Sequence, residues 1–459
     1  MTRHVPAALW RTHSCVPRRH SCRRPGTIEI SGGDNSSNRF MLTYPDSVRF
    51  LYALGNEIKT AKLGLDRIRL VLAALNNPHH SFRSIHVAGT NGKGSTCAMI
   101  EAGLRTTGIR TGLFTSPHLI EPTERIAIDG MPVTPRQFER AFDAVHKAAT
   151  ELDLDCHPTY FETVTAMGFW LFREMHVETA VVEVGLGGRL DATNVLNPIL
   201  TAITPIDFDH ESFLGGTIEA IATEKAGILK PGVPSIFARQ RPEAQAVLDR
   251  RAAELKIPVK HTSEFQVRDL QVTARGSEFS GIKCPLAGEH QIENALAAAL
   301  ALEALSISPK GIENAVWPGR LERISPNPDI ILDGAHNPAG ARALARYLER
   351  FYAGRKIWMI FGAMRDKSVD EIAGILFPLT SHVILTAPDN ARALRPEALA
   401  ELTDHGGVAP DIAAALERAR LEVSEDDVIV ITGSLFLVGE ARALSYNKHS
   451  WPFSGAWSS

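Results

Sequence analysis

Residues 85–104 read IHVAGTNGKGSTCAMIEAGL: a short apolar run of strand character, a turn holding glycines and a lysine, then a run at helical spacing. A strand that passes at once into a helix is the repeating unit of α/β sheets, so this feature commits the surrounding chain to that class. It also exposes backbone N–H groups at the helix start, where the helix dipole favours an anion. In the usual phosphate loop Gly-Lys is followed directly by Ser or Thr; here Gly94 stands between Lys93 and Ser95. The stretch is either a turn that happens to hold a lysine or a phosphate cradle of a less common kind. Gly89, Gly92 and Gly94 permit close backbone approach, and Lys93 lies where a nucleotide would dock, which favours the cradle. Ser95 or Thr96 would then cap the helix or touch a metal.

The alternation continues on both sides. Apolar residues recur at helical spacing over 47–75, interrupted at Gly64, and residues 95–106, 135–152 and 163–175 are helical. Phe169, Trp170 and Phe172 supply core bulk to the last of these. Residues 84–89, 110–116, 179–185 and 200–206 read as strands; TAVVEVG (179–185) fits a parallel strand buried on both faces. Residues 240–285 fit a few antiparallel strands. A second α/β pattern follows Pro318, with strands at 329–337, 356–364, 382–388 and 427–434 and helices at 338–352 and from about 396 and 411.

With 459 residues the chain is too long for one core. The pattern predicts a mostly parallel P-loop domain over 41–317, a smaller Rossmann-like domain over 318–445, and an unassigned tail, 446–459. Residues 1–40 carry seven arginines against Glu29 and Asp34. That is the composition of a transit peptide or of an upstream stretch outside the fold. Met41 opens a helical pattern at once and is the expected working start, with a disordered extension before it.

A net charge of −3 offers no basic footprint for nucleic acid, and no apolar run is long enough to span a membrane. Cys15, Cys22, Cys97, Cys156 and Cys284 are scattered, without CxxC spacing. Neither a disulfide framework nor a zinc site follows, and a reducing cytoplasm fits.

In open parallel sheets ligands sit beyond the carboxyl ends of the strands. Ser95, Ser116, Glu183 and the run Asp207-Phe208-Asp209-His210 all fall there. A carboxylate ending a buried strand is costly unless paired or metal-bound; magnesium on a nucleotide takes one or two carboxylates, which suits Glu183. Gly185, Gly187 and Gly188 would let the backbone pass close to a ligand, or form a loose turn. Arg189 and Asp191 could pair, or Asp191 could accept a hydrogen bond from a polar substrate ring. His210, among acids, reads as metal-binding or catalytic. Glu224 and Lys225 near a helix end have the default reading of a surface pair.

These residues fall into a known series. GTNGKGS (89–95), SPHL (116–119), ERI (124–126), Phe161-Glu162, EVGLGGRLDATN (183–194), Asp209-His210 with Leu214-Gly215 and Thr217, EKAGI (224–228), GEHQIENA (288–295), PGRLE (318–322), DGAHNP (333–338) and GSLFLVGEAR (433–442) stand in one order. In this the chain resembles the folylpolyglutamate synthase/dihydrofolate synthase family of the Mur ligase superfamily, over about 41–444. In that family the extra glycine of the loop is usual.

The resemblance implies an ATP-dependent ligase adding L-glutamate to dihydropteroate or folates through an acyl phosphate. It implies that Gly89, Thr90, Asn91, Gly92, Lys93, Gly94 and Ser95 hold ATP, with Asn294, Arg320 and Asp333. Ser116, Glu183 and His210 would ligate magnesium, and Lys225 would be carbamylated and help hold a second ion, with potassium a further candidate. Thr159 and Asp191 would meet the pterin, His336 and Ser434 the glutamate. A monomer is the family expectation. The chain departs from the family at TPIDFDH, where Pro205 and Phe208 are expected to reshape the loop without removing His210. Other readings remain, among them a simple kinase, which an amide product would exclude. A peptidoglycan Mur ligase carries a separate domain before its P-loop, and Met41 to Gly89 is too short for one. A non-enzymatic P-loop regulator would need no DGAHNP domain.

Overall fold

Eight strands make the first sheet: β1 (Arg83–Ala88), β2 (Thr111–Phe114), β3 (Ile126–Ile128), β4 (Met131–Pro132), β5 (Thr179–Glu183), β6 (Leu200–Ile203), β7 (Ser235–Phe237) and β8 (Val259–His261). Their order is β4-β3-β2-β5-β1-β6-β7-β8. β1 lies parallel between β5 and β6, and only the β2–β3–β4 edge is antiparallel. β1, β2, β5 and β6 are buried almost throughout, as strands covered by helices on both faces must be. The chain leaves β1 for β2 on one side and reaches β6 on the other, so a crevice opens beyond the carboxyl end of β1. The computed structural model describes residues 43–55, 64–152, 154 and 157–446. The extension 1–40, Cys15, Cys22, Cys156 and the tail past Tyr446 lie outside these residues.

The helices follow their caps. Thr134 closes a capping box with Gln137 ahead of the helix Pro135–Glu151. The helix Tyr160–Glu174 begins earlier than its apolar spacing predicts, because Thr159 and Glu162 form a second box. Phe114, Phe138, Phe142, Phe169 and Phe172 fill one face of the sheet. On the other face the helices Lys93–Arg105 and His290–Ala304 pack closely: a Cβ on Gly103 would come within 2.3 Å of Leu302 Cδ1.

Residues 240–285 differ from expectation. Their first part is the helix Pro242–Leu255, with Pro at its start and Ala244, Val247, Leu248 and Ala252 buried on one stripe; β8 then joins the main sheet in parallel. Only β9 (Gln271–Thr273), β10 (Gly276–Phe279) and β11 (Ile282–Cys284) are the antiparallel strands expected there.

The second lobe holds β12 (Glu322–Pro326), β13 (Asp329–Leu332), β14 (Ile357–Phe361), β15 (His382–Leu385), β16 (Gly406–Val408) and β17 (Val428–Thr432), ordered β12-β13-β17-β14-β15-β16. All pairs are parallel except β12–β13. Ile331, Met359, Phe361 and Val430 are fully buried. Among the described residues Cys97 and Cys284 are free and buried, and no helix is long and apolar enough to cross a membrane.

Candidate active site between two sheet rims

A cavity of about 530 Å³ is lined by the loops beyond β1, β2, β5 and β6 of the first sheet and beyond β13, β14, β15 and β17 of the second. The carboxyl rims of the two sheets therefore face one another. Every residue to which the family resemblance assigns a ligand lines this one cavity, from Gly89 through Ser95 to Ser434; Thr96 and Arg189 are not among its lining residues.

The glycine loop is shaped by close approach. Gly92 caps the helix Lys93–Arg105 at φ +86°, and a Cβ there would fall 2.1 Å from Asn294 Oδ1. Both a left-handed backbone and the crowding exclude other residues. Thr90 and Asn91 N–H groups donate to the Pro205 carbonyl, so the unusual proline braces the loop from below. Phe208, the other departure, packs its ring under Arg241.

Lys93 Nζ donates to the Thr90 carbonyl at 3.1 Å and lies 3.9 Å from Glu183 Oε1. Glu183 Oε2 accepts the Ser116 N–H at 3.0 Å. Burial pushes the Glu183 carboxyl up, opposed by Lys93 and the Ser116 amide. His210, at φ +53°, is neutral: burial lowers its pKa to about 4 against the pull of Asp209. Glu183, Ser116 and His210 all line this cavity, and a carboxylate, a hydroxyl and a neutral imidazole are donor types that magnesium accepts. So small a set suits an ion that nucleotide oxygens would complete.

Lys225 is not on the surface. It is buried, and its Nζ donates to the Gly89 carbonyl at 2.7 Å. Burial, then Lys93, lowers its pKa to about 7. Glu224 pairs instead with Arg189 at 2.9 Å, so Arg189 does not pair with Asp191. The glycines of EVGLGG form no loose turn: a Cβ on Gly188 would meet the Glu224 carbonyl at 2.7 Å, and one on Gly185 the Phe161 ring at 2.4 Å.

Several expected ligand contacts have internal partners. Asp191 accepts from the Leu186 and Thr193 N–H groups and from the Thr193 hydroxyl. Thr159 Oγ1 accepts the Glu162 N–H at 3.2 Å. Ser434 Oγ accepts the Phe436 N–H at 3.2 Å. Asp333 takes the Leu321 and Ala335 N–H groups; burial raises its pKa against the pull of Arg320. His336 Nδ1 is 2.8 Å from the Gly334 carbonyl. Asp209, Asn337 and Lys367 also line the cavity; the sequence places Asp209 at the rim but assigns none of the three a role. Asn337 stood inside DGAHNP; Lys367 carried no signal at all.

Residues 87–302 match the Mur ligase middle domain, and residues 319–435 match the Mur ligase glutamate ligase domain. The dihydrofolate synthase/folylpolyglutamate synthase of Bacillus subtilis is 35% identical over 412 residues, covering 83% of this chain and 94% of that protein. The chain belongs to the folylpolyglutamate synthase/dihydrofolate synthase family. It is an ATP-dependent ligase of the Mur superfamily. The crystal structure of Mycobacterium tuberculosis folylpolyglutamate synthase with ADP and AMPPCP is 35% identical, covers 87% of this chain and 99% of its own, and superposes with a TM-score of 0.79. Escherichia coli FolC, in complex with DHPP and ADP, is 28% identical with a TM-score of 0.80 over 89% and 99% of the two chains. A "Probable bifunctional folylpolyglutamate synthase/dihydropteroate synthase" of Haloferax volcanii, 35% identical, is longer, and the match spans 50% of it.

Proposed function

We propose that the chain joins L-glutamate to the carboxylate of dihydropteroate and to the glutamate tail of folates, in the cytoplasm and as a monomer. The observation that carries this is the single cavity between the two rims, which gathers the glycine loop, Glu183, His210, Lys225, Asp333 and His336. A folate-type substrate is favoured over a peptidoglycan one by the relatives, which bear folate-enzyme names.

A carboxylate does not acylate an amine at neutral pH, because an oxide is a poor leaving group. In the proposed reaction the acid attacks the γ-phosphorus of ATP and becomes an acyl phosphate. The glutamate amine then adds to its carbonyl carbon, and phosphate leaves the tetrahedral adduct. Lys93 and the amides of residues 92–95 neutralise the phosphoryl oxygens. Asn294, Arg320 and Asp333 hold the rest of ATP, and Thr159 and Asp191 border the pterin. His336 and Ser434 face the glutamate. Magnesium on Ser116, Glu183 and His210 would add charge neutralisation. Lys225, as a carbamate, would offer an anion for a second ion, and potassium is a further candidate. The lobes together exclude the water that would hydrolyse the intermediate.

The test is ADP release with dihydropteroate and tetrahydrofolate supplied separately, each with glutamate, and the amide product identified by mass. Lys93→Ala is expected to lower turnover by about 100-fold or more. Wild-type rates in that variant would refute the assignment.

A further inference from the structure

The run 207–210 carries His210 out beyond β6, and the second lobe grips it. Asp209 Oδ1 accepts Lys367 Nζ at 2.7 Å, with both side chains nearly buried, 12% and 10% exposed. The same oxygen accepts the His210 backbone N–H at 2.9 Å. Oδ2 accepts Asn337 Nδ2 at 3.4 Å and lies 3.8 Å from His336 Nε2. Asn337 in turn exchanges amide hydrogen bonds with Asn91 of the glycine loop, at 2.9 and 3.3 Å. At the outer edge Arg342 comes within 3.9 Å of Asp207. Burial resists ionisation of Asp209, yet Lys367, His210 and His336 hold its carboxyl well below the ordinary carboxylate range.

One carboxylate is thus divided between a lysine of the second lobe and the backbone of the residue read above as a magnesium ligand. We propose that Asp209 and Lys367 form a clasp across the cleft, which sets the His210 loop in place only when the lobes are together. Domain closure and completion of the metal-facing wall are then one event. The inference rests on the role given to His210 under the proposed function. Asp209 and Lys367 are positioning residues; neither is assigned to the reacting atoms.

The physics is that of a buried pair. With the lobes apart, ammonium and carboxylate are each hydrated. With the lobes together each loses water, and only the partner compensates. Removing one leaves the other charged and desolvated in the closed form, so the equilibrium shifts toward the open one. Removing both relieves that penalty. Closure and loop placement are therefore coupled through a single contact, and coupling of this kind is reciprocal.

The test uses the full chain as Lys367→Met, Asp209→Asn, the double variant and Lys367→Arg. Each of the first two is expected to lower kcat about 10- to 100-fold, as misplacement of a site group does. ADP affinity and the KM for glutamate should change by less than kcat does, because the glycine loop of the first lobe still holds the phosphates and neither Asp209 nor Lys367 is assigned to a substrate. The double variant should be no slower than the worse single one, because the two changes cut one interaction. Lys367→Arg should recover most of the rate. Small-angle X-ray scattering with ADP and magnesium should show an expanded particle for each single variant. Asn337 also caps the helix Pro338–Phe351 by accepting the Gly340 N–H; Asn337→Ser, which keeps a capping hydroxyl, should show a smaller expansion and serves if Lys367→Met does not fold. Multiplicative rate losses or unchanged scattering would overturn the clasp. A raised KM for glutamate at unchanged kcat would also do so, by making Lys367 a substrate contact. If the wild type releases no ADP with acid and glutamate, the functional reading fails, and scattering still decides the clasp.

Discussion

Lys225 lies in the last turn of the helix Ile218–Ala226 with its Nζ on the Gly89 carbonyl and its ammonium desolvated. Its pKa in the folded chain is lowered from the ordinary 10.5 to about 7. The unfolded chain holds the proton between those values and the folded chain does not, so stability rises with pH across that window and is lowest below 7. The same shift leaves a neutral amine near physiological pH, the form that adds to carbon dioxide. In carbon-dioxide-free buffer the melting temperature of the wild type is expected to gain on that of Lys225→Met as pH rises from 6.5 to 8.5. The variant should lose about 100-fold in turnover. Labelled bicarbonate should give a carbamate carbon resonance in the wild type alone; parallel melting profiles and no resonance would count against the role. Nothing in the sequence marks this lysine as buried. Glu224 and Lys225 are adjacent, and the helix turns one toward Arg189 and solvent and the other under the glycine loop. Spacing gives the angle between two side chains but not which of them faces inward.

Helix starts govern which rim residues are free to meet a ligand. Thr159 and Glu162 cap the helix Tyr160–Glu174 reciprocally, and Glu162 is held by Arg67 at 3.0 Å. Thr159→Ala should therefore cost about 1 kcal/mol of stability, with Thr159→Ser close to wild type. If the hydroxyl instead serves the pterin, the KM for dihydropteroate rises while denaturant midpoints hold; the two measurements separate the roles. Strands were the most legible elements. TAVVEVG and DVIVITGS are apolar at successive positions, short and rich in β-branched residues, as a strand with both faces covered is, and both are central. The helix Pro242–Leu255 was not read as one, although Pro242 and the stripe Ala244, Val247, Leu248 and Ala252 carried its signal. Its short apolar residues give a weak contrast with the arginines and glutamates between them. β8 follows it with only three residues, too few for a period to register.

The arrangement of the whole molecule rests on how the lobes meet, and here motifs without an obvious chemical use acquire a purpose. Glu124 of ERI accepts the N–H groups of Leu119, Ile120 and Glu121, fixing the turn after SPHL. That turn presents Leu119 to the second lobe, whose core it joins beside Val438. Glu322 of PGRLE takes the Gly319 N–H and pairs with Arg442 at 3.0 Å, tying the linker to the helix Leu435–Tyr446. On that helix Gly439 faces Leu119, and an added Cβ would fall 1.9 Å from the Leu119 carbonyl oxygen. The contact of Leu119 with Gly439 joins residues 320 positions apart and that of Glu322 with Arg442 residues 120 apart, so no local pattern could announce them. The same gap gives a test whose sign is informative. Replacing an interior helical glycine with alanine ordinarily stabilises by about 1 kcal/mol. At Gly439 the new methyl meets backbone that the Glu124 hydrogen bonds hold in place, so the lobes must separate or the turn must break. Gly439→Ala is thus expected to lower the melting temperature, enlarge the particle in small-angle scattering and slow ADP release. Nucleotide affinity should fall less than turnover, because the glycine loop lies entirely in the first lobe and only the Arg320 and Asp333 contacts depend on the second. A variant that melts higher and turns over normally would mean that the lobes do not meet at Leu119 in solution.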